Sequence, residues 1–225
     1  MKDTLRALMP ELTELQLSRF ETYYEMLVDW NSRVNLTAIT EKSEVAKKHF
    51  FDSMQGAALI PEGARCIDVG TGAGFPGVPL LILRPDLDLT LLDSLNKRLN
   101  FLKELLEALG LSATLVHARA EDAGRDPAHR EQYDITLSRA VSALPCLLEL
   151  TSPFLKVGGT GIAYKGDATE EVEAADRAAK LLNLTLSSQD ITKDYGARCL
   201  VLAKKTGRTP SAYPRKAGTP AKKPL

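Results

Sequence analysis

An α/β fold is predicted, with helices on both faces of a seven-stranded, mostly parallel sheet and a helical extension at the N-terminus. Three observations predict it. From residue 64 onward short apolar runs alternate with helical stretches; the first run passes directly into a glycine-rich turn; and the last two runs have only a short connection between them. Alternation of this kind implies right-handed crossovers and a doubly wound sheet, and the short final connection implies an antiparallel pair.

The elements follow in order. Phe20, Tyr23, Tyr24, Leu27 and Val28 make one apolar stripe of a helix that ends near Trp30-Asn31. Ser43 is positioned to cap a second helix through "EVAKKHFFDSMQGAALI", which stops at Pro61. "ARCIDVG" reads as a buried strand, "PGVPLLILRP" as a short helix and "LTLLD" as a second strand. Ser94 then stands where it can cap a helix that carries Leu95, Leu99, Leu102, Leu106 and Leu109 and is closed by Gly110. "ATLVHA", "YDITLS" and "GTGIAYK" continue the strands, "SALPCLLELTSPFL" and "ATEEVEAADRAAKLLN" read as helices, and "LTLSSQDIT" and "RCLVLAKK" finish the sheet.

The chain has 225 residues, 44% hydrophobic and 26% charged, a size that supports one full core. The division expected is a helical extension over 1–60, the sheet domain over 61–205 and a tail over 206–225. No stretch has the length of a membrane span, and the acidic start lacks the apolar run of a secretion signal, so a cytoplasmic protein is expected. Cys66, Cys146 and Cys199 are isolated and read as small hydrophobes, with no metal site. Formal net charge is zero, yet Lys204, Lys205, Arg208, Arg215, Lys216, Lys222 and Lys223 close the chain without one acid. Such asymmetry points toward a polyanion or a solubilising tail, and the proline-rich end reads as a segment that orders on binding.

The turn "DVGTGAGFPG" (Asp68–Gly77) carries the chemistry. Glycines after a strand bring backbone N–H groups close to a ligand. A phosphate loop would end in Gly-Lys-Ser/Thr, and this one ends Gly74-Phe75-Pro76-Gly77. A dinucleotide loop fits literally at Gly72–Gly77, but displaced by two residues from the strand end at Val69. S-adenosylmethionine is favoured over both: Asp68 suits its ammonium, the loop amides around Gly70 and Gly72 suit its carboxylate, and Asp93 can accept both ribose hydroxyls.

With those residues placed, the chain resembles the bacterial small-subunit ribosomal RNA guanine-N7 methyltransferases, the glucose-inhibited division protein B family. The likeness runs through "WNSRVNLTAI", "KHFFDS", "DVGTGAGFPGVPL", "LLDSLNKR", "RAED", "SRAVS", "YKG" and "YPRKAGTP". It implies a Rossmann-like class I S-adenosylmethionine-dependent methyltransferase. Cofactor contacts are implied at Gly70, Phe75, Asp93, Ser94, Ala120, Glu121 and Arg139. It also implies small-subunit ribosomal RNA as partner, free or within the 30S subunit or an assembly intermediate. Asn35, Lys48 and His49 then become candidates to face substrate, and Lys165 and Arg198 candidates for RNA phosphate. Arg139 is the residue expected to orient substrate or cofactor. His117 is read as structural. Guanine N7 has a lone pair and no proton to lose, so catalysis is expected to be positioning without a general base. A small-molecule or protein methyltransferase, a non-catalytic RNA-binding assembly factor and a nicotinamide oxidoreductase are the competing readings.

Overall fold

The computed structural model describes residues 1–225. Seven strands form one sheet in the order β3-β2-β1-β4-β5-β7-β6. They are β1 (Arg65–Val69), β2 (Asp88–Asp93), β3 (Thr114–His117), β4 (Tyr133–Arg139), β5 (Leu155–Lys165), β6 (Leu184–Asp190) and β7 (Cys199–Lys205). The first five run parallel, while β7 is antiparallel to both β5 and β6, as the short connection predicted. Because the order reverses beside β1, a crevice opens beyond the carboxyl ends of β1 and β4, where ligands of such sheets sit.

Alternation along β1 assigns the two faces. Cys66 joins the large core shared with the N-terminal helices, and Ile67 and Val69 join a small cluster with Leu92, Ala123 and Phe154. The first face is covered by α1 (Lys2–Leu8), α2 (Glu14–Asn31), α5 (Gly77–Leu83) and α6 (Asn96–Leu109). The second is covered by α7 (Ala120–Ala123), α8 (Leu144–Thr151), α9 (Thr169–Ala174) and α10 (Asp176–Leu181). The N-terminal helices therefore share the main core with the sheet.

Four local expectations are corrected. The helix after residue 41 is capped by Glu41, whose carboxylate accepts from the Ser43 and Glu44 amides, rather than by Ser43. It is also not continuous: α3 (Lys42–Val45) widens into a π-turn over Ala46–Phe51 before α4 (Asp52–Met54). Ser94 caps nothing; Leu95 holds the cap position of α6, and Asp93 Oδ1 accepts the Leu95 amide. On α2 the buried stripe is Leu17, Phe20, Tyr23 and Leu27, leaving Val28 exposed.

The C-terminal segment differs most. It packs on the body, with Pro214 and Pro220 buried and a short α11 (Thr219–Lys222) near its end. Lys205, counted above among the basic tail, is fully buried and donates to Ser152 O, Leu155 O and Thr209 Oγ1.

Close packing fixes the glycine turn. Gly74 has φ +96°, and a Cβ there would lie 2.6 Å from the Tyr23 hydroxyl and 2.9 Å from Leu102 and Val78. At Gly77 a Cβ would lie 2.8 Å from Asp68 Oδ2, so that carboxylate can reach the start of α5 only past a glycine. Gly74→Ala combines a disfavoured backbone with a clash against a buried ring, so it is expected to cost about 2 kcal/mol or more, read as a shifted midpoint in urea unfolding.

Candidate functional site: a cleft across the strand ends

Two cavities meet beyond the carboxyl ends of the parallel strands. One, of about 240 Å³, is walled by Val69, Leu92, Ala118, Ala120, Val141 and Leu150, with Asp93 and Glu121 as its acids. The other, of about 520 Å³, lies between the glycine turn, the loop at Leu36–Ile39, the π-turn and the ends of β4 and β5. Gly70, Arg98 and Ala140 border both, so the two form one cleft.

The glycine turn is internally saturated except at two points. Asp68 is fully buried, and its Oδ2 accepts from Thr71 Oγ1 at 2.7 Å and from the Gly77 amide at 3.0 Å. Its Oδ1 is buried and has no partner. Burial pushes the carboxyl up to about 6, against the pull of Thr71, Gly77 and Arg139. Gly70 and Thr71 donate their amides to Leu92 O, Gly74 and Phe75 donate theirs to Thr71 O, and Gly72 donates to Asp93 Oδ2. The Ala73 N–H, in the wall of the larger cavity, donates to nothing. An unpaired buried carboxylate oxygen and an unpaired loop amide are the complement of an ammonium and a carboxylate.

Phe75 joins the turn to the helical extension. Its ring stacks on Tyr23 at 5.3 Å and on His49 at 4.7 Å, and the Arg139 guanidinium lies 4.8 Å above it. Tyr23 in turn donates to Ala73 O at 2.5 Å. The phenol is fully buried, which drives its pKa well above the ordinary value and keeps it a donor.

Arg139 is already engaged. Its Nη1 donates to Lys48 O at 3.2 Å and pairs with Asp52 Oδ2 at 3.2 Å, and its Nη2 reaches His49 Nδ1 at 3.3 Å. Asp52, 3% exposed, also takes Arg198 Nε on Oδ1 at 3.2 Å. One buried carboxylate thus holds two guanidinium groups, one at the end of β4 and one just before β7. His49 Nδ1 lies 3.2 Å from Lys48 O as well as 3.3 Å from the Arg139 guanidinium, and its Nε2 lies 2.7 Å from Thr37 Oγ1. Burial and that neighbouring cation lower the His49 pKa to about 4, so the ring is neutral near pH 7.

The other expected residues are placed as follows. Lys48 and Lys165 line the larger cavity, but Lys48 pairs with Glu44 and Lys165 donates to Ser142 O and Glu171 Oε2, both at or below 2.8 Å. Asn35 is exposed and outside the cavity; its neighbours Leu36 and Thr37 line it instead. Asp93 is buried and accepts from Gly72, Leu95 and Arg98. Ser94 and Ala120 line the smaller cavity. Glu121 lines it too, but the Gly218 amide donates to its Oε1 at 2.8 Å, and Arg119 Nε stands 3.6 Å from Oε2. His117 bonds Ser94 O at 3.1 Å, outside both cavities.

Sequence reasoning missed four participants. Asn31 Oδ1 accepts the Leu36 and Thr37 amides and so shapes the loop that walls the larger cavity. Arg98 stands where the cavities meet and pairs with Asp93 at 3.4 Å. Tyr164 donates to Ser53 O at 2.7 Å, tying the end of β5 to α4. Ala140, also at the junction, has φ +56°, a left-handed backbone unusual for alanine.

The rRNA small subunit methyltransferase G family model matches residues 16–197. The chain belongs to that family. The ribosomal RNA small subunit methyltransferase G of Desulforamulus reducens is 47% identical over all of this chain and 97% of that protein. The enzyme of the same name from Desulfitobacterium hafniense is 48% identical over 96% of this chain and 92% of its own. At the level of fold, an S-adenosylmethionine-dependent O-methyltransferase from Thermotoga maritima superposes with a TM-score of 0.54 at 16% identity, covering 82% of this chain and 73% of its own. The sheet is thus that of the class I methyltransferases. None of the family's helices in this chain is long and apolar enough to cross a membrane.

A histidine held neutral gives the site a pH signature. Since its folded pKa lies below the ordinary 6.5, His49 contributes stability that is complete above pH 6.5 and is lost as pH falls toward 4. Asp68, raised, acts with the opposite sign between about pH 6 and its unfolded value. Comparison with His49→Gln isolates the histidine: the stability gap between wild type and variant is expected to shrink by up to about 3 kcal/mol from pH 7 to 4.5, measured by denaturant titration at each pH.

Proposed function

We propose that the cleft binds S-adenosylmethionine and directs its methyl group to N7 of one guanine in small-subunit ribosomal RNA, presented as free RNA, in the 30S subunit or in an assembly intermediate. The observation that carries this reading is the junction of the two cavities at Gly70, Arg98 and Ala140. The smaller has the apolar walls and the acid at a strand end that an adenosine needs, with Asp93 for the ribose and Ala120 beside the adenine. The larger offers the Ala73 amide to the carboxylate and still has room for an unstacked base; Asp68 lines neither cavity, and its buried, unpartnered Oδ1 is the acceptor assigned to the ammonium.

The bound donor supplies a sulfonium-activated methyl group, so the protein has to bring a bare lone pair into line with it in a site shielded from water. Guanine N7 brings such a lone pair and no proton. The residues fit that requirement. His49 stays neutral, and both of its ring nitrogens are held, Nε2 by Thr37 Oγ1 and Nδ1 between Lys48 O and Arg139. Asp52 is consumed by two arginines, and Asp68 is buried in the turn. The one unpartnered oxygen among them, Asp68 Oδ1, is assigned to the donor's ammonium, and no base is needed. Arg139 acts by holding the π-turn and His49 against Phe75, which fixes the wall that the base would meet; this is positioning, not proton transfer. An arginine forked onto O6 and N7 would mask the reacting nitrogen, and the engagement of Arg139 with Asp52 keeps it from doing so.

The exposed lysines of the C-terminal segment, Lys216, Lys222 and Lys223, form no ion pairs and are suited to RNA phosphates. Deleting 206–225 would strip partners from buried Lys205 and Glu149, so charge reversal of the three lysines is the cleaner test. RNA affinity near 0.1 M salt is expected to fall about tenfold or more, with a salt slope shallower by roughly 2. Unchanged affinity and slope would remove the segment from the RNA interface. The reaction itself is tested by incubating the protein with methyl-labelled S-adenosylmethionine and either ribosomal RNA or 30S subunits, then applying strand cleavage selective for N7-methylguanine. One cleaved position is expected, present with the wild-type protein, reduced in Arg139→Ala and absent in controls without protein; label at a carbon, an oxygen or an exocyclic amine would overturn the reading.

A further inference from the structure

The C-terminal segment is fastened to both walls of the smaller cavity. Arg215 is the first anchor: its backbone N–H donates to Glu149 Oε1 at 2.7 Å, and its Nε and Nη2 donate to the same carboxylate at 2.9 Å and 2.5 Å. Glu149 is fully buried on α8, and the next residue, Leu150, lines the cavity. Arg130 adds a second hold, with Nη1 donating to Tyr213 O and Nη2 to Thr209 O, both at 2.9 Å. The chain then turns at Gly218 (φ +80°), and its amide donates to Glu121 Oε1 at 2.8 Å. Glu121 is only 5% exposed, lines the same cavity, and has as its other neighbour Arg119 Nε at 3.6 Å.

We infer that residues 215–222 are a working part of the adenosine site, in which the Gly218 amide fixes the Glu121 carboxylate and so couples the docking of this segment to cofactor binding. The physical reason is the state of Glu121 without that amide. A carboxylate so deeply buried must find another donor or water, and the available directions are the Arg119 side or the cavity itself. Either shifts α7, which carries Ala120, the neighbour of the adenine. Arg215 sets the register of the turn because its four bonds to Glu149 leave only Lys216 and Ala217 between the anchor and Gly218. Coupling runs both ways: a ligand that fills the cavity braces α7 and α8 and must slow release of the segment they hold. Gly218 and Arg215 are positioning residues; neither is placed against a reacting atom.

This inference rests on the smaller cavity being the adenosine site, and its test separates the two. Wild-type full-length protein is treated with trypsin in the absence and presence of saturating S-adenosylhomocysteine or 5′-methylthioadenosine, and release of the peptide after Arg215 or Lys216 is followed by mass spectrometry, alongside calorimetry of each ligand. Both ligands are expected to slow that cleavage about tenfold or more, because both carry the adenosine. Arg215→Ala is expected to weaken binding of both by a similar factor, and Arg215→Lys to recover part of the loss. Binding of both ligands with cleavage at an unchanged rate, or with full affinity in Arg215→Ala, would overturn the inference and leave the cavity assignment standing. Failure of either ligand to bind wild type would overturn the assignment itself.

Discussion

One buried carboxylate organises the mouth of the cleft. Asp52 accepts Arg139 from the end of β4 on one oxygen and Arg198 from just before β7 on the other, and it sits on the helical segment that follows the π-turn. Two cations sharing one anion leave a net positive charge facing a cavity in which an RNA phosphate or an electron-rich base edge would be welcome. Removing the anion would leave two part-buried guanidinium groups facing each other, a loss of about 3–5 kcal/mol for a broken buried pair. The π-turn serves the same contact: in the wider winding over Ala46–Phe51 the Asp52 N–H bonds His49 O and Lys47 O rather than Lys48 O, its α-helical partner, and Lys48 O accepts from Arg139 Nη1.

The helical extension is therefore structural support for the chemistry. Tyr23, Phe75, His49 and Arg139 form a continuous column from α2, through the glycine turn and the π-turn, to β4. Each member fixes the next: Tyr23 holds Ala73 O, Phe75 is trapped between rings, His49 is held neutral by Arg139, and Arg139 is neutralised by Asp52. A glycine-rich loop has little stiffness of its own, and here the stiffness comes from aromatic packing that begins some fifty residues earlier in the chain.

How much of this was legible in the sequence depended on the range of the interaction. The strand run Cys66–Val69 and the αL cap at Gly110 could be read because hydrophobic period and cap chemistry are local. Asp68 and Asp93 could be read as site residues from their places at the strand ends, whereas Phe75 came only from the family resemblance. The partner of each cation could not. Lys165 and Arg198 look like free phosphate ligands until folding brings Glu171 and Asp52 beside them, and the Arg198–Asp52 pair spans 146 residues; Lys48, a candidate to face substrate, pairs with Glu44 one helical turn away. Ser94 was a reasonable cap by composition, but Asp93 one residue earlier supplies the acceptor. The C-terminal segment looked mobile because prolines and cations lack periodicity, whereas its order comes from Glu149, Glu121 and Arg130 on the body.

The central claim is that the unpaired Asp68 oxygen receives the amino group of a methyl donor whose adenosine lies in the neighbouring cavity. Calorimetry of wild type and Asp68→Asn with S-adenosylhomocysteine and with 5′-methylthioadenosine tests it most directly, since asparagine keeps an acceptor for the Gly77 amide and turns an N–H₂ toward the ammonium. The account predicts that the substitution weakens S-adenosylhomocysteine at least tenfold and leaves 5′-methylthioadenosine, which lacks the amino acid, within twofold of wild type. Equal loss for both ligands, no loss for either, or a preference of the wild type for a nicotinamide dinucleotide would contradict it.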